Sequence, residues 1–212
     1  MKIALFGSTG RVGRIFTERA LAEGHHITAL IRNQKNLPLS IQNDRNFTFI
    51  TGDAKNEEDI KKIIHDDTDL VFSALSTDKT DTLSKGVPLI IKEMKKKNIT
   101  RLVTIGTAGI LQARSQPETL RYKAKESKRK MTAAAEEHEA VYSLLEKSGL
   151  EWTIFCPTYL PEGPAGGEIA SEIDYLPEEG TQISTGNTAF FAYENLLNKA
   201  FYRKRVGIVE KG

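Results

Sequence analysis

Near the start of the chain, Gly7-Ser8-Thr9-Gly10-Arg11-Val12-Gly13 has the residue types and spacing to hold an anion on the backbone. Glycine recurs as G-x-x-G-x-x-G. The motif stands between a short apolar run, Ile3-Ala4-Leu5-Phe6, and a helical pattern of Val12, Ile15, Phe16 and Ala20 that stops at Gly24. Each glycine has its own task in such a turn. Gly7 permits the sharp bend, Gly10 lets the backbone approach a pyrophosphate, and Gly13 lets the helix pack close to the strand. The helix N-terminus adds N–H groups and partial positive charge. The motif therefore predicts a dinucleotide site, with Ser8, Thr9, Arg11 and Val12 in the phosphate loop. The alternative is a structural turn with no ligand.

The next informative position ends the second apolar run, Leu30-Ile31-Arg32-Asn33. An NAD site places Asp or Glu about 20 residues past the glycines to bind the ribose 2′-hydroxyl. Here no acid occurs between His25 and Ser40, and Arg32 lies 19 residues past Gly13. A guanidinium suits a 2′-phosphate, which a carboxylate would repel. The expected cofactor is NADP(H), with NAD(H) second. Arg11 is a further candidate for the 2′-phosphate.

Other reactive residue types give less. Cys156 precedes Pro157 and reads as a small buried hydrophobe rather than a nucleophile. His25, His26, His65 and His138 lack metal-ligand spacing, so no metal site is expected. Arg121 to Lys130 holds six basic residues and one acid. It reads as a solvated loop or as a lid bringing charge to an anionic ligand.

The elements that must position these residues follow from periodicity. Strands are expected at His26 to Ile31, Phe47 to Thr51, Leu70 to Leu75, Thr100 to Ile105, Glu151 to Cys156 and Val206 to Val209. Helices are expected at Glu57 to His65, Leu83 to Lys97, Met131 to Ser148 and Gly186 to Phe201. Nearly continuous apolar strands alternating with amphipathic helices predict an α/β fold, a doubly wound parallel sheet covered on both faces. Ile110 to Lys130 and Thr158 to Glu179 break the rhythm. Both follow strand C-terminal ends, where open α/β sheets bind ligands.

Composition sets the outer limits. A chain of 212 residues reads as one domain, 1–212, with 157–212 adding a small substrate-side lobe. Thirty basic against 28 acidic residues leave a net charge of +2, which gives no pull toward nucleic acid or anionic membrane. One cysteine excludes an intramolecular disulfide framework. Apolar runs reach about six residues, far short of the ~20 that span a bilayer. With no signal-peptide pattern at the N-terminus, a cytoplasmic protein is expected.

These residues resemble the atypical short-chain dehydrogenase/reductases, and within them the NmrA-like proteins and the biliverdin reductase B or flavin reductase type. The resemblance rests on the glycine turn, Arg32, Gly52-Asp53-Ala54, Ser73-Ala74-Leu75, Arg101 to Gly106, and Ser148-Gly149-Leu150-Glu151-Trp152-Thr153-Ile154 leading to Pro157. It implies a Rossmann fold and further contacts. Asp53 and Ala54 lie by the adenine, Ala74, Leu75 and Ser76 along the ribose and phosphate path, and Pro157, Thr158 and Tyr159 by the nicotinamide carboxamide. The family's Tyr-x-x-x-Lys pair is absent. Tyr122 is followed four on by Glu126, Tyr142 by Glu146 and Tyr159 by Gly163. Where the family has a serine after strand five, Gly106-Thr107-Ala108-Gly109 stands, so Thr107 is the remaining hydroxyl.

Together these features predict an NADPH-dependent reductase of a conjugated acceptor such as a quinone, flavin or tetrapyrrole, which draws its proton from water. Thr107 and Tyr159 flank the nicotinamide. The expected partner is that small-molecule acceptor, with a homodimer or a protein partner as further candidates. The alternative is an NADP(H)-binding redox sensor without turnover. A nucleotide-sugar epimerase is disfavoured, because few residues follow the sixth strand.

Overall fold

Successive side chains of each inner strand are buried on opposite faces, and this decides the layering. In the computed structural model, which describes residues 1–77, 80–124, 126 and 131–212, Ala4 and Phe6 enter one core while Ile3 and Leu5 enter the other. A strand buried on both sides needs helices above and below it. The chain supplies them in the order β1 (Lys2–Phe6), α1 (Arg11–Ala22), β2 (His26–Ile31), α2 (Leu39–Gln42), β3 (Phe47–Thr51), α3 (Glu57–Lys61), β4 (Leu70–Ser73), α4 (Thr82–Lys96), β5 (Arg101–Ile105), α5 (Ala133–Glu146), β6 (Glu151–Pro157), β7 (Ile169–Ile173), α6 (Thr185–Glu194) and β8 (Lys204–Glu210).

The strands form one sheet in the order β3-β2-β1-β4-β5-β6-β8-β7. All neighbouring pairs are parallel except β7 with β8. The first six strands thus keep the 3-2-1-4-5-6 order of dinucleotide-binding sheets. Apolar residues of α1, α2 and α6 build one core, and those of α3, α4 and α5 build the other. Phe16 of α1 stacks on Phe72 of β4 with ring centroids 3.6 Å apart.

Three expectations need correction. The last helix ends at Glu194 rather than running to Phe201, because Asn195 and Asn198 turn the chain; the Asn198 side chain accepts from Ala200 N–H at 3.1 Å. The helix after β3 stops at Lys61, and Ile63 N–H bonds only three residues back to Ile60, although Ile60, Ile63 and Ile64 are all buried. The segment after β6, expected to be irregular, contains β7, which runs antiparallel on the sheet's edge. Residues 157–212 are woven into the sheet through β8, and α6 packs beside α1 with Ala189 and Ala192 in their shared core.

Arg205 of β8 ties this region together. It is buried, pairs with Asp174 at 3.0 Å, donates to Ile110 O and lies 4.1 Å over the Tyr142 ring. One guanidinium thereby fixes β8, the end of β7, the turn after β5 and α5 against one another. Among the described residues, no helix is long and apolar enough to cross a membrane.

Candidate functional site

The parallel strands all end at one edge, and the connections after β1 and β4 leave to opposite faces. The crevice between them holds a cavity of about 830 Å³. Gly7, Thr9, Gly10, Arg11, Val12, Arg32, Asp53, Ala54, Ala74, Leu75 and Ser76, all expected from the sequence, line it.

The glycine turn is built as the motif requires. Gly7 has φ +87°, and a Cβ there would lie 2.5 Å from Ala74 O. A Cβ on Gly13 would lie 2.0 Å from Gly7 O, so α1 touches the β1 turn at its own backbone. Gly10 differs. Its φ is −77°, and a Cβ would meet nothing closer than Gly7 O at 3.3 Å. Gly10 is also the N-cap of α1, with no side-chain cap and no acid in the first turn. The N–H groups of Arg11, Val12 and Gly13 thus begin a helix with no carboxylate against them. This arrangement fits a pyrophosphate.

At the far side, Arg32 leaves β2 exposed on the cavity wall, and no carboxylate follows it on that strand end. Asp53 ends the neighbouring connection. Its N–H donates to Asp59 Oδ2 at 3.1 Å, and its Oδ1 accepts from Lys55 N–H at 2.9 Å. The Asp53 N–H and Lys62 hold the Asp59 carboxyl below the usual carboxylate range. Arg11 takes another direction than the sequence suggested. Its Nη1 donates to Leu160 O at 3.0 Å, reaching toward the β6 side of the cleft rather than toward Arg32 at the β2 end.

A second cavity of about 740 Å³ lies beyond the ends of β5 and β6, and Thr107, Thr158 and Tyr159 line it. Thr107 caps a short turn, Ala108–Ile110, by accepting from Gly109 N–H at 3.4 Å. Tyr159 is 63% exposed, and its carbonyl accepts from Ile183 N–H at 2.9 Å. Tyr122 also lines this cavity, but its hydroxyl donates to Glu139, which Lys123 Nζ approaches at 2.6 Å. Burial and that hydrogen bond push the Tyr122 hydroxyl above its ordinary pKa. Its proton is committed to a carboxylate, so Tyr122 does not stand in for the missing tyrosine. Arg114 and Glu126 brace the walls. Arg114 pairs with Glu172 and donates to Leu176 O at 3.0 Å, and Glu126 accepts from Ser115 Oγ at 2.6 Å. Of the basic stretch, Arg121 lines the second cavity, while 125 and 127–130 lie outside the described residues.

Two expected residues line neither cavity. Ser8 is fully buried behind the turn with no partner for its hydroxyl among the described residues, and Pro157 is buried as the last residue of β6, opposite Ile208. Sequence reading missed Asn36, Lys55, His138 and Leu160, which reach the first cavity from loops and from α5. None belongs to a motif, and only the tertiary path brings them there.

Cys156 is buried, and burial pushes its thiol up to about 12. Only the thiolate reacts with alkylating agents, and burial also blocks access, so at pH 8 native protein should label far more slowly than protein in denaturant. Mass spectrometry over a time course checks this; equal rates would mean the β6 end opens readily.

A six-strand order of this kind, with an uncapped glycine-lined helix at its switch point, defines a Rossmann-type dinucleotide-binding protein. The chain belongs to the NAD(P)H-binding family, whose model matches residues 7–199. Its fold is similar to that of a short-chain dehydrogenase/reductase from Veillonella parvula DSM 2008 in complex with NADP (20% identity, TM-score 0.79, 100% of this chain and 95% of that one). It is similar also to a candidate NADH-flavin reductase from Streptococcus pneumoniae TIGR4 (21%, TM-score 0.81, 100% of both chains). A candidate epimerase from Bacteroides thetaiotaomicron matches at 21% identity and TM-score 0.84, over 100% of this chain and 97% of that one. At these identities the likeness is one of fold, and chemistry must be argued from the site.

Proposed function

We propose that the chain is an NADPH-dependent, cytoplasmic reductase of a small conjugated acceptor such as a quinone or flavin. The carrying observation is that the two cavities share a border. Gly106 and Leu160 line the first, and their chain neighbours Thr107 and Tyr159 line the second. A dinucleotide in one and an acceptor in the other meet at the C-terminal ends of β5 and β6.

A bound nicotinamide supplies the hydride. The chain's residues do the rest by placement. The α1 N-terminus and Gly10 receive the pyrophosphate, and Arg32 reads the 2′-phosphate. Arg11 lies over the helix start, tied to Leu160 O. Thr107 offers one hydroxyl at the border. The Tyr-x-x-x-Lys pair is absent, and Tyr122, with Lys123 against its ring, donates its hydroxyl to Glu139 instead, which favours acceptors that disperse negative charge themselves. The same absence supports a second reading, an NmrA-like redox sensor that binds NADP(H) and signals to a protein partner.

NADPH oxidation against a panel of acceptors tests both. Quinones or flavins should be reduced, and saturated aldehydes and ketones should not. Thr107→Val should slow turnover by well under ~10²-fold, because general acid catalysis is typically worth 10²–10⁴-fold and only one hydrogen bond is lost here. Tight cofactor binding without turnover of any acceptor would favour the sensor. Robust aldehyde reduction, or a Thr107→Val loss near 10⁴-fold, would overturn the proposed chemistry.

A further inference from the structure

Among the described residues, α5 is the one helix that lines both cavities. Ala134 and Ala135 line the second, and His138, one turn on, lines the first. Residues three and four apart share a helix face, so a single face of α5 runs across the border between the two cavities.

The position of His138 on that face is fixed from both sides. Glu137 Oε2 accepts from Ser84 N–H of α4 at 3.0 Å, and Glu139 holds Tyr122 and Lys123. A turn further on, Val141 and Leu145 are buried in the core. The helix itself lies over the β5–β6 side of the sheet. Ala135 Cβ is 3.3 Å from where a Gly109 Cβ would be, and Tyr142 packs edge-on to Trp152 of β6. His138 therefore enters the cleft on the side opposite the β2 end, where Arg32 stands.

We infer that His138 holds the ribose of the nicotinamide half of the bound dinucleotide, an assignment that rests on the dinucleotide reading above. An imidazole has two ring nitrogens that can donate or accept, and a ribose diol presents hydroxyls that do both. Arg32 holds the adenosine half on the β2 side, so the ribose within reach of α5 is the other one. His138 is also the sole imidazole among the described residues of either cavity wall. Its role is binding and orientation: it keeps the reactive half of the dinucleotide turned toward the second cavity.

The test compares two ligands on three proteins. NADP⁺ carries both halves, while 2′,5′-ADP carries the adenosine half alone. Isothermal titration of wild type, His138→Ala and His138→Gln with each ligand reads the contact directly. His138→Ala should weaken NADP⁺ by about 3- to 10-fold, the range of one neutral hydrogen bond, and leave 2′,5′-ADP unchanged. His138→Gln, whose amide also donates and accepts, should recover part of the loss. Equal weakening of both ligands would overturn the inference, because it would mean a general disturbance of the cleft. So would unchanged NADP⁺ binding in His138→Ala. Wild type that binds neither ligand would overturn the dinucleotide reading itself.

Discussion

Gly10→Val should lose NADP(H) affinity by at least about 100-fold and keep its fold, whereas Gly13→Val should lose both. The two glycines sit three residues apart in one motif, and space decides the difference. At Gly10 the backbone has φ −77°, which valine adopts freely, and the new Cβ would press on Gly7 O at 3.3 Å, a contact relieved by a small shift. The branched methyls then stand in the cleft over the α1 N-terminus. Excluding an anion from N–H donors there removes charge-assisted hydrogen bonds worth roughly 1.5–3 kcal/mol each, so two of them exceed a factor of 100. At Gly13 the Cβ would fall 2.0 Å from Gly7 O, with Ala74 Cβ 3.3 Å away. Neither neighbour is the flexible tip of a long side chain, so α1 must move off the sheet and disturb the Phe16–Phe72 stack. Circular dichroism melts beside cofactor titrations separate the two. A Gly10→Val protein that binds normally would remove the phosphate site from the α1 N-terminus.

Arg32→Asp should weaken NADPH by about 10- to 150-fold and leave NADH within a few-fold of wild type. A charge-assisted hydrogen bond is worth roughly 1.5–3 kcal/mol, and each 1.4 kcal/mol is tenfold. The substituted carboxylate also repels a 2′-phosphate, while it can accept from a 2′-hydroxyl. Titrating both cofactors into both proteins checks this. Equal losses for the two would show that Arg32 does not discriminate between them.

The fold was legible wherever apolar residues run together in the sequence. β2 and β3 were read to the residue, because His26–Ile31 and Phe47–Thr51 are compact apolar runs bounded by turn residues. β7 escaped because Ser171 and Glu172 interrupt the apolar residues of Ile169-Ala170-Ser171-Glu172-Ile173, so it carries no apolar run. The last helix was read too long because Leu196, Leu197 and Phe201 continue an apolar pattern after asparagines have broken the helix.

The site divides the same way. The phosphate turn and Arg32 are local features, fixed by chain geometry within a few residues, and they appear in the sequence. The second cavity is built from segments far apart in the chain, such as Thr107, Tyr122, Ala135 and Leu176, which share no spacing. Arg11 shows the limit of local reasoning: the motif placed it by the phosphates, and only the fold reveals that Leu160 O is its partner.

The strand order carries a consequence for how the molecule assembles in time. β7 has one neighbour in the sheet, β8, and β8 follows it in sequence by about 30 residues. Until β8 has docked on β6, β7 has no edge to join. Arg205, which clamps Asp174, Ile110 and Tyr142, arrives on that same strand. The first cavity is lined wholly by residues up to Leu160, so its walls can form while the chain after β6 is still unstructured. The second cavity draws on Leu176 to Thr181 and waits for β8. The two sites therefore draw on different parts of the chain: the dinucleotide cleft is lined by no residue beyond Leu160, whereas the neighbouring chamber is complete only with the segment between β7 and α6 in place.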